Sequence, residues 1–500
     1  MTATELSPQL DPVLDPDLGP SADPAPGPGR PRGLGTGPAP RAAAGTPPWD
    51  SWRDLPAAQQ PAWPDRPALR AVTADLAGYP ALVAAGECDR LRARLAAAAR
   101  GEAFLLQGGD CAETFDGISE QRIHSKLQVI LQMAAILAYA VSVPVVTVGR
   151  LAGQYAKPRS RPTETRGGLS LPVYRGDAVN AAAFTPAART PDPERLKRLY
   201  HASAATLNVI RSWVSDGGAD LRDAHERNRD FVGLSPAGEH YRQLVDATDE
   251  ALRFLSACGV DSGLLRTTEF FTSHEALLLD YESALVRPDP RTGARYDTSA
   301  HMLWIGERTR QPGGAHIAFA AGIRNPIGVK LGPATTADEA LELIDLLDPE
   351  REPGRLTFIT RMGADRITDV LPDLVRRVTD SGAQVVWVCD PMHGNTFEAP
   401  SGHKTRSLAT ILAEVKGFFE VHRALGTHPG GLHLELTGDH VTECLGGADE
   451  VLPHDLYDRY ETACDPRLNR SQSLDLAFLV AEIHRSGGSG EGTAPARHRW

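Results

Sequence analysis

Eight short apolar runs recur between Ala103 and Leu436, and nearly all of them lead into a metal-type ligand or a cation. FLLQGGDC reaches Cys111, VPVVTVGR reaches Arg150 and MLWIGER reaches Glu307 and Arg308. IGVKLG carries Lys330, LTFITRMG carries Arg361, QVVWVCDPMH ends at His393 and GLHLELTG contains Glu435. The strands predicted from these runs are Ala103–Gln107, Pro144–Val148, Thr267–Thr272, Met302–Ile305, Gly328–Leu331, Leu356–Thr360, Gln384–Cys389 and Leu432–Leu436. Helical stretches separate most of them, which is the pattern of an α/β chain closed as a (β/α)8 TIM barrel. A doubly wound open sheet fits the alternation too, but it leaves the first and last strands apart. Cations beside buried strands are costly unless something pairs with them. One site at one end of a parallel sheet, for an anionic substrate and a metal, accounts for so many of them.

Five hundred residues suggest several domains by length alone, yet barrels with insertions reach this size. The net charge of −12 and the lack of a basic stripe argue against nucleic-acid binding. No apolar run reads as long enough to span a bilayer, and the N-terminus lacks a signal-peptide pattern, so the expectation is a cytoplasmic protein without membrane attachment. The six cysteines form no CxxC pair and no dense framework, which excludes zinc-ribbon and secreted-scaffold readings.

Residues 1–48 are rich in Pro, Gly, Ala and Asp and are expected to form a disordered tail, as are residues 486–500. Residues 49–100 read as an N-terminal helical extension, and 101–485 as the catalytic barrel. A long gap between the second and third strands, about 186–260, reads as an inserted helical pair. Leu196, Leu199, Tyr200, Leu207, Ile210 and Trp213 trace one stripe, and a second helix is expected to start at Ser235 and Pro236.

Cys111, His393, Glu435 and Asp465 each sit at or after a strand or in a polar loop. A thiolate, an imidazole and two carboxylates suit a borderline divalent ion: Mn2+ or Co2+ first, then Zn2+ or Fe2+. Taken singly, Cys111 reads equally as a core thiol, His393 as a loop histidine, Glu435 as the partner of an arginine and Asp465 as a turn residue. Jointly, at one end of one barrel, metal ligation is the better reading. His433 shares a strand face with Glu435 and reads as a supporting group. Arg150, Lys157, Arg159, Arg308, Lys330 and Arg361 follow strands at the same end. They imply more than one anionic group, since arginine matches phosphate and carboxylate and lysine offers a point charge or a proton.

The segments LLQGGDCAETF, GRLAGQYAKPRS, LPVYRGD, SHEALLLDYE, WIGERTRQ, NPIGVKLGP, DPMHGNT, LTGDHVTECLGG and RYETACDPRLN resemble type II 3-deoxy-D-arabino-heptulosonate 7-phosphate (DAHP) synthases over essentially all of Trp49 to Arg485. The resemblance implies a metal-dependent barrel that joins phosphoenolpyruvate (PEP) to erythrose 4-phosphate, the first step of the shikimate pathway to aromatic amino acids. It makes Cys111, His393, Glu435 and Asp465 the metal ligands. Arg308, Lys330 and Arg361 would grip the PEP phosphate, with Glu307 beside them, and Arg150 and Lys157 would lie near its carboxylate and reacting carbons. Arg159 and Ser160 would cradle the sugar phosphate, with Lys404 and Arg406 as further candidates. Lys157 is expected to protonate the developing alkoxide because a lysine among cations has a lowered pKa; Glu307 is the alternative. A homo-oligomer, dimer or tetramer, is expected, with chorismate mutase as a partner. Thr147 stands where lysine is expected, and Asn180–Phe184 (NAAAF) replaces a more usual NG-containing run. Both features leave open a secondary-metabolism enzyme making aminoDAHP from an imino sugar phosphate. A non-catalytic regulatory subunit is the other alternative, and the intact ligand set argues against it.

Overall fold

Eight parallel strands close into a barrel in the computed structural model, which describes residues 49–235, 238–258 and 269–488. The strands are β1 (Phe104–Gly109), β2 (Val145–Arg150), β3 (Phe270–Glu275), β4 (Met302–Ile305), β5 (Ile327–Leu331), β6 (Leu356–Thr360), β7 (Val386–Cys389) and β8 (Gly431–Glu435). Neighbours in space are neighbours in sequence, and β1 pairs with both β2 and β8. Closure removes every strand edge, which an open doubly wound sheet would leave exposed. Seven strands fall within two residues of their predicted bounds. β3 continues to Glu275, beyond the predicted end at Thr272, and the first two residues predicted for it lie outside the described residues.

Strand alternation divides the core. Leu105, Val146, Val148, Phe271, Met302, Ile359, Val386 and Val388 meet inside the barrel with Leu91, Leu95 and Ala98 of helix α1 (Ala85–Ala99), which plugs its N-terminal end. Leu106, Leu303, Val329, Phe358 and Leu432 face outward into the helical layer. Higher in the interior the side chains become polar: Gln107, Ser273, Trp304 and His433, then Arg150, Lys330 and Glu435. The chemistry therefore sits at the C-terminal end, on top of a solid aliphatic floor.

Helix α2 (Glu120–Val141) starts at Ser119, whose side chain accepts from the Arg122 amide, and ends at Ser142 in the left-handed region (φ 54). Among the described residues it is the one helix long and apolar enough to cross a membrane, which corrects the expectation that no such run exists. It packs instead against β1, β2 and helix α7 described below, with most of its apolar window buried. Among the described residues, the stretch between β2 and β3 holds three long helices where a pair was expected: α3 (Glu194–Ser215), α4 (Leu221–Leu234) and α5 (Gly238–Ala257). Pro236, expected to open the last of these, lies outside the described residues. Tyr241 of α5 stacks on Phe478, with ring centroids 4.3 Å apart. Helix α6 (Leu408–Leu425) stops at Gly426, whose φ of 65 is the left-handed cap the sequence anticipates. Helix α7 (Arg470–Gly488) reaches three residues into the stretch expected as a tail. The remainder of that stretch and residues 1–48 lie outside the described residues.

Candidate active site

Three of the four expected ligands converge at the C-terminal rim. One ligand atom each from Cys111, Glu435 and Asp465 lies within 4.8 Å of the others. Cys111 follows β1, Glu435 ends β8, and Asp465 comes from the loop before α7, so barrel closure is what unites them. The Asp465 amide donates to Cys111 Sγ at 3.2 Å, which fixes the loop against the thiol. His393, in the loop after β7, places Nε2 3.2 Å from Glu435 Oε1. Its Nδ1 lies 2.8 Å from Asp390 Oδ2, and Asp390 Oδ1 also accepts the Met392 and His393 amides. A carboxylate behind Nδ1 sets the tautomer and leaves the Nε2 lone pair facing the cluster. Thiol, imidazole and two carboxylates form a donor set suited to one borderline divalent ion, and Lys157 Nζ already draws on the same acceptors. It lies 3.0 Å from Glu435 Oε1, 3.3 Å from Asp465 Oδ2 and 3.4 Å from His393 Nε2.

Glu435 is fully buried and is the hub of the site. Arg150 Nη2 donates to its Oε1 at 2.9 Å, and Arg406 Nη1 lies 2.8 Å from its Oε2. Burial works against this carboxylate, but His393, Lys157, Arg406 and Arg150 hold it well below the ordinary range. For Cys111 the balance goes the other way: burial, the hydrogen bond with Cys464 and the Glu435 charge push the thiol well up. Both cysteines are free.

Cations form an arc beside this cluster. Arg150 is held from three sides: Asp110 O accepts from Nε and Nη2, Trp304 lies under the guanidinium with its ring centroid 5.0 Å away, and His433 Nε2 accepts from Nη1. His433 Nδ1 donates in turn to Gln107 Oε1 at 2.7 Å. Burial and the Lys330 and Arg150 charges keep this imidazole neutral, so His433 supports Arg150 and is not a ligand. Lys330 is paired with Asp390, the same carboxylate that orients His393. Burial pulls its ammonium down to about 8, and Arg150 adds to the depression against Asp390. Arg361 Nη2 donates to the His393 carbonyl at 2.9 Å. The turn after it is held by Glu414, which accepts the Met362 and Gly363 amides at 2.8 and 2.9 Å.

Farther out, Lys157, Arg159, Ser160, Arg308, Lys404 and Asp465 line a cleft of about 740 Å3. Arg308 is exposed there, apart from buried Lys330 and among the groups expected around the sugar phosphate. Lys404 Nζ bonds Asp465 Oδ1 at 3.1 Å. Glu307 is half-buried, with one oxygen 3.2 Å from Arg310 Nη2 and no partner for Oε2.

Four expectations need correction. Lys157 does not have a lowered pKa: burial pulls the ammonium down, but Cys111, Glu435 and Asp465 outweigh it and raise it well above the ordinary value. Two carboxylates, Glu435 and Asp465, lie against it, whereas Lys330 is the lysine that burial and Arg150 depress. Arg406 is fully buried and donates to Thr396 at 2.9 Å and to the Pro466 carbonyl as well as facing Glu435, so no donor reaches the outer cleft. Thr147 lies on the opposite face of β2 from Val148 and Arg150, and its hydroxyl bonds the Glu269 carbonyl at 2.9 Å. A lysine there would face the helical layer and not the site. Asn180 in NAAAF is structural: its amide ties Val173 O and Arg189 O together, at 3.0 and 3.1 Å. Both side chains are engaged in main-chain hydrogen bonds.

Three site carboxylates escaped the sequence reading: Glu113, Asp390 and Glu275. Glu113 accepts the amides of Ala152, Gly153 and Gln154, at 3.1, 3.0 and 2.8 Å, and so shapes the turn between Arg150 and Lys157. Asp390 opens the DPMH segment, three residues before His393, and that spacing is the sequence signal for its pairing with the imidazole. Glu275 was placed in a loop because β3 was ended too early.

Residues 48–481 match the class-II DAHP synthetase family. A curated phospho-2-dehydro-3-deoxyheptonate aldolase of Streptomyces coelicolor is 69% identical over 436 residues, 87% of this chain and 97% of that protein. The phospho-2-dehydro-3-deoxyheptonate aldolase AroG of Mycolicibacterium smegmatis is 54% identical over 441 residues, 87% of this chain and 94% of that one. Among solved structures, a truncated 3-deoxy-D-arabino-heptulosonate 7-phosphate synthase from Thermotoga maritima aligns over 77% of this chain and 85% of its own, at 11% identity and a TM-score of 0.30.

Proposed function

The chain belongs to the class-II DAHP synthetase family, and from that premise we propose that it condenses PEP with erythrose 4-phosphate to give DAHP and phosphate, as a metal-dependent transferase opening the shikimate pathway in the cytoplasm. The observation that carries the site assignment is the side-by-side position, on one barrel rim, of a cluster of metal-type donors and an arc of cations, buried Arg150 and Lys330 with half-buried Arg361. Cys111, His393, Glu435 and Asp465 would hold the divalent ion, with Mn2+ or Co2+ preferred for this mixed donor set. When bound, that ion supplies Lewis-acid polarisation of the sugar aldehyde.

The remaining work belongs to side chains. Arg150, Lys330 and Arg361 bind the anionic groups of PEP in a buried space where their attraction is weakly screened. Glu307 stands beside them and keeps Arg310 in place. Arg159, Ser160 and Lys404 receive the sugar phosphate in the outer cleft, and Arg308, which lines the same cleft, joins the cations for the PEP phosphate. Two repelling anions are thereby held aligned, so carbon-3 of PEP meets the aldehyde carbon without a search. Lys157, with its ammonium kept charged, is placed to hand a proton to the alkoxide that forms. Self-association of the chain, and docking of a chorismate mutase on it, are part of the same reading by family membership. Sedimentation with and without that enzyme tests both.

Lys330 gives a pH prediction. Its ammonium is present below about 8 and lost above. The free enzyme's affinity for PEP should therefore fall as pH rises through about 8, seen as a rising KM for PEP. A flat KM between pH 7 and pH 9 would remove Lys330 from PEP binding. The substrate itself is tested by following loss of PEP with erythrose 4-phosphate and, separately, with the imino sugar phosphate. The sugar should support turnover and the imine should not exceed it.

A further inference from the structure

Glu275 ends β3 and points its carboxyl into the same rim, where the charges acting on it are Lys157, Lys330, His393 and Arg150. Its side chain is only 9% exposed, and Oε1 has no hydrogen-bond partner. The main chain at this point is fixed, since the Glu275 amide donates to Gln154 Oε1 at 2.8 Å. Space for the carboxyl is made by Gly306 at the end of β4, where a Cβ would collide with Oε1. The neighbouring carboxylates are all satisfied: Glu435 has Arg150, Lys157 and Arg406 in contact, Asp465 has Lys157 and Lys404, Asp390 has Lys330, Glu307 has Arg310, and Glu113 accepts three main-chain amides. Glu275 has none in ion-pair contact among the described residues.

A buried carboxyl without a partner is costly, and a negative one beside a PEP site also opposes the substrate's own charge. Both costs call for a compensating role in the reaction. The condensation leaves a proton to be placed at each end. As the C-2=C-3 electron pair of PEP forms the new bond to the aldehyde carbon, the aldehyde oxygen gains a proton. A water then adds to C-2: its oxygen forms the new C–O bond, one O–H bond breaks and that proton needs an acceptor. Lys157 stands on the donor side. We propose that Glu275 Oε1 is the acceptor for the water that adds to C-2 of PEP. The adduct then collapses: the C-2–O bond to phosphorus-bearing oxygen breaks, phosphate leaves with the electron pair, and the new hydroxyl loses its proton to give the C-2 ketone. Burial, which outweighs the four cations and raises the Glu275 carboxyl above its ordinary value, suits it to accept a proton.

This inference rests on the condensation reading, and the test separates the two. Glu275→Gln, Glu275→Asp and wild type are compared for metal content, thermal midpoint, PEP dissociation constant and kcat. For Glu275→Gln, metal content stays the same and the PEP constant is unchanged or tighter, because a repelling charge is gone, while kcat falls about 10²–10⁴-fold. Glu275→Asp regains at least about tenfold of that loss. Turnover of Glu275→Gln within about threefold of wild type overturns the proposal, as does a kcat loss matched by lost metal or lost PEP binding. If Glu275→Gln does not fold, Gly306→Ala displaces the carboxyl while retaining it, and the same separation of kcat from PEP binding is required. A wild-type protein that forms no DAHP overturns the condensation reading instead.

Discussion

Glu435→Ala is expected to abolish turnover, prevent stoichiometric metal uptake and lower the unfolding free energy by about 3–5 kcal/mol. The carboxylate is fully buried and meets Arg150 at 2.9 Å, Lys157 at 3.0 Å and Arg406 at 2.8 Å, with His393 at 3.2 Å. Removing it strands three permanent or near-permanent charges around an empty corner, where weak screening makes their repulsion large. Arg150 and Lys157 would then pull away from PEP and the aldehyde, so both substrate sites lose their geometry with the metal. Chemical denaturation and metal content by mass spectrometry of the purified variant check the two halves separately. Glu435→Gln, which keeps the shape and one acceptor, should lose activity as fully but less stability. A Glu435→Ala protein that retained stability and full metal would show that the hub has been misread.

The second large effect is expected at Lys330. Lys330→Met should lower kcat/KM for PEP by about 10²–10³-fold, in the range seen when one member of a buried charge pair is truncated. Its ammonium pairs with Asp390, which in turn holds His393 Nδ1 at 2.8 Å. One substitution therefore removes a cation from the PEP arc and leaves Asp390 acting on His393 alone. With Asp390 no longer held from its other side, the imidazole is less firmly oriented and metal affinity should weaken. Steady-state kinetics at saturating metal isolate the PEP effect, and metal titration isolates the other. Lys330→Arg should not restore activity, because a branched guanidinium does not fit beside Asp390 at the end of a filled barrel interior.

Much of this arrangement was legible in the order of residues, for physical reasons that differ from place to place. The barrel was legible because eight apolar runs separated by amphipathic helices admit few closures. Gly426 was legible as a helix stop because only a left-handed residue ends that helix cleanly. Cys111, Glu435 and Asp465 could be named because each donor type falls at or beyond a strand end; barrel closure alone brings them within ligand distance. β3 ended too early because Ser273, His274 and Glu275 look like a polar loop. In a barrel whose upper interior is polar, a strand carries such residues inward, and that misjudged end hid Glu275. Lys157 was misjudged on charge. Its sequence neighbours Arg159 and Arg161 suggested a cationic surrounding, but its spatial neighbours are Cys111, Glu435 and Asp465. The same limit applies to Arg406, whose burial against Glu435 depends on segments far apart in the chain.

We propose that one divalent ion in the Cys111, His393, Glu435 and Asp465 cluster, beside the PEP cations, makes this chain a DAHP-forming enzyme. The most direct measurement is titration of chelator-stripped protein with Mn2+ in the presence of PEP and erythrose 4-phosphate, following DAHP and phosphate together. No product is expected without metal, then equal yields of the two products that rise to a plateau at one ion per chain. Full turnover by the stripped protein, or no DAHP at any metal loading, would contradict it.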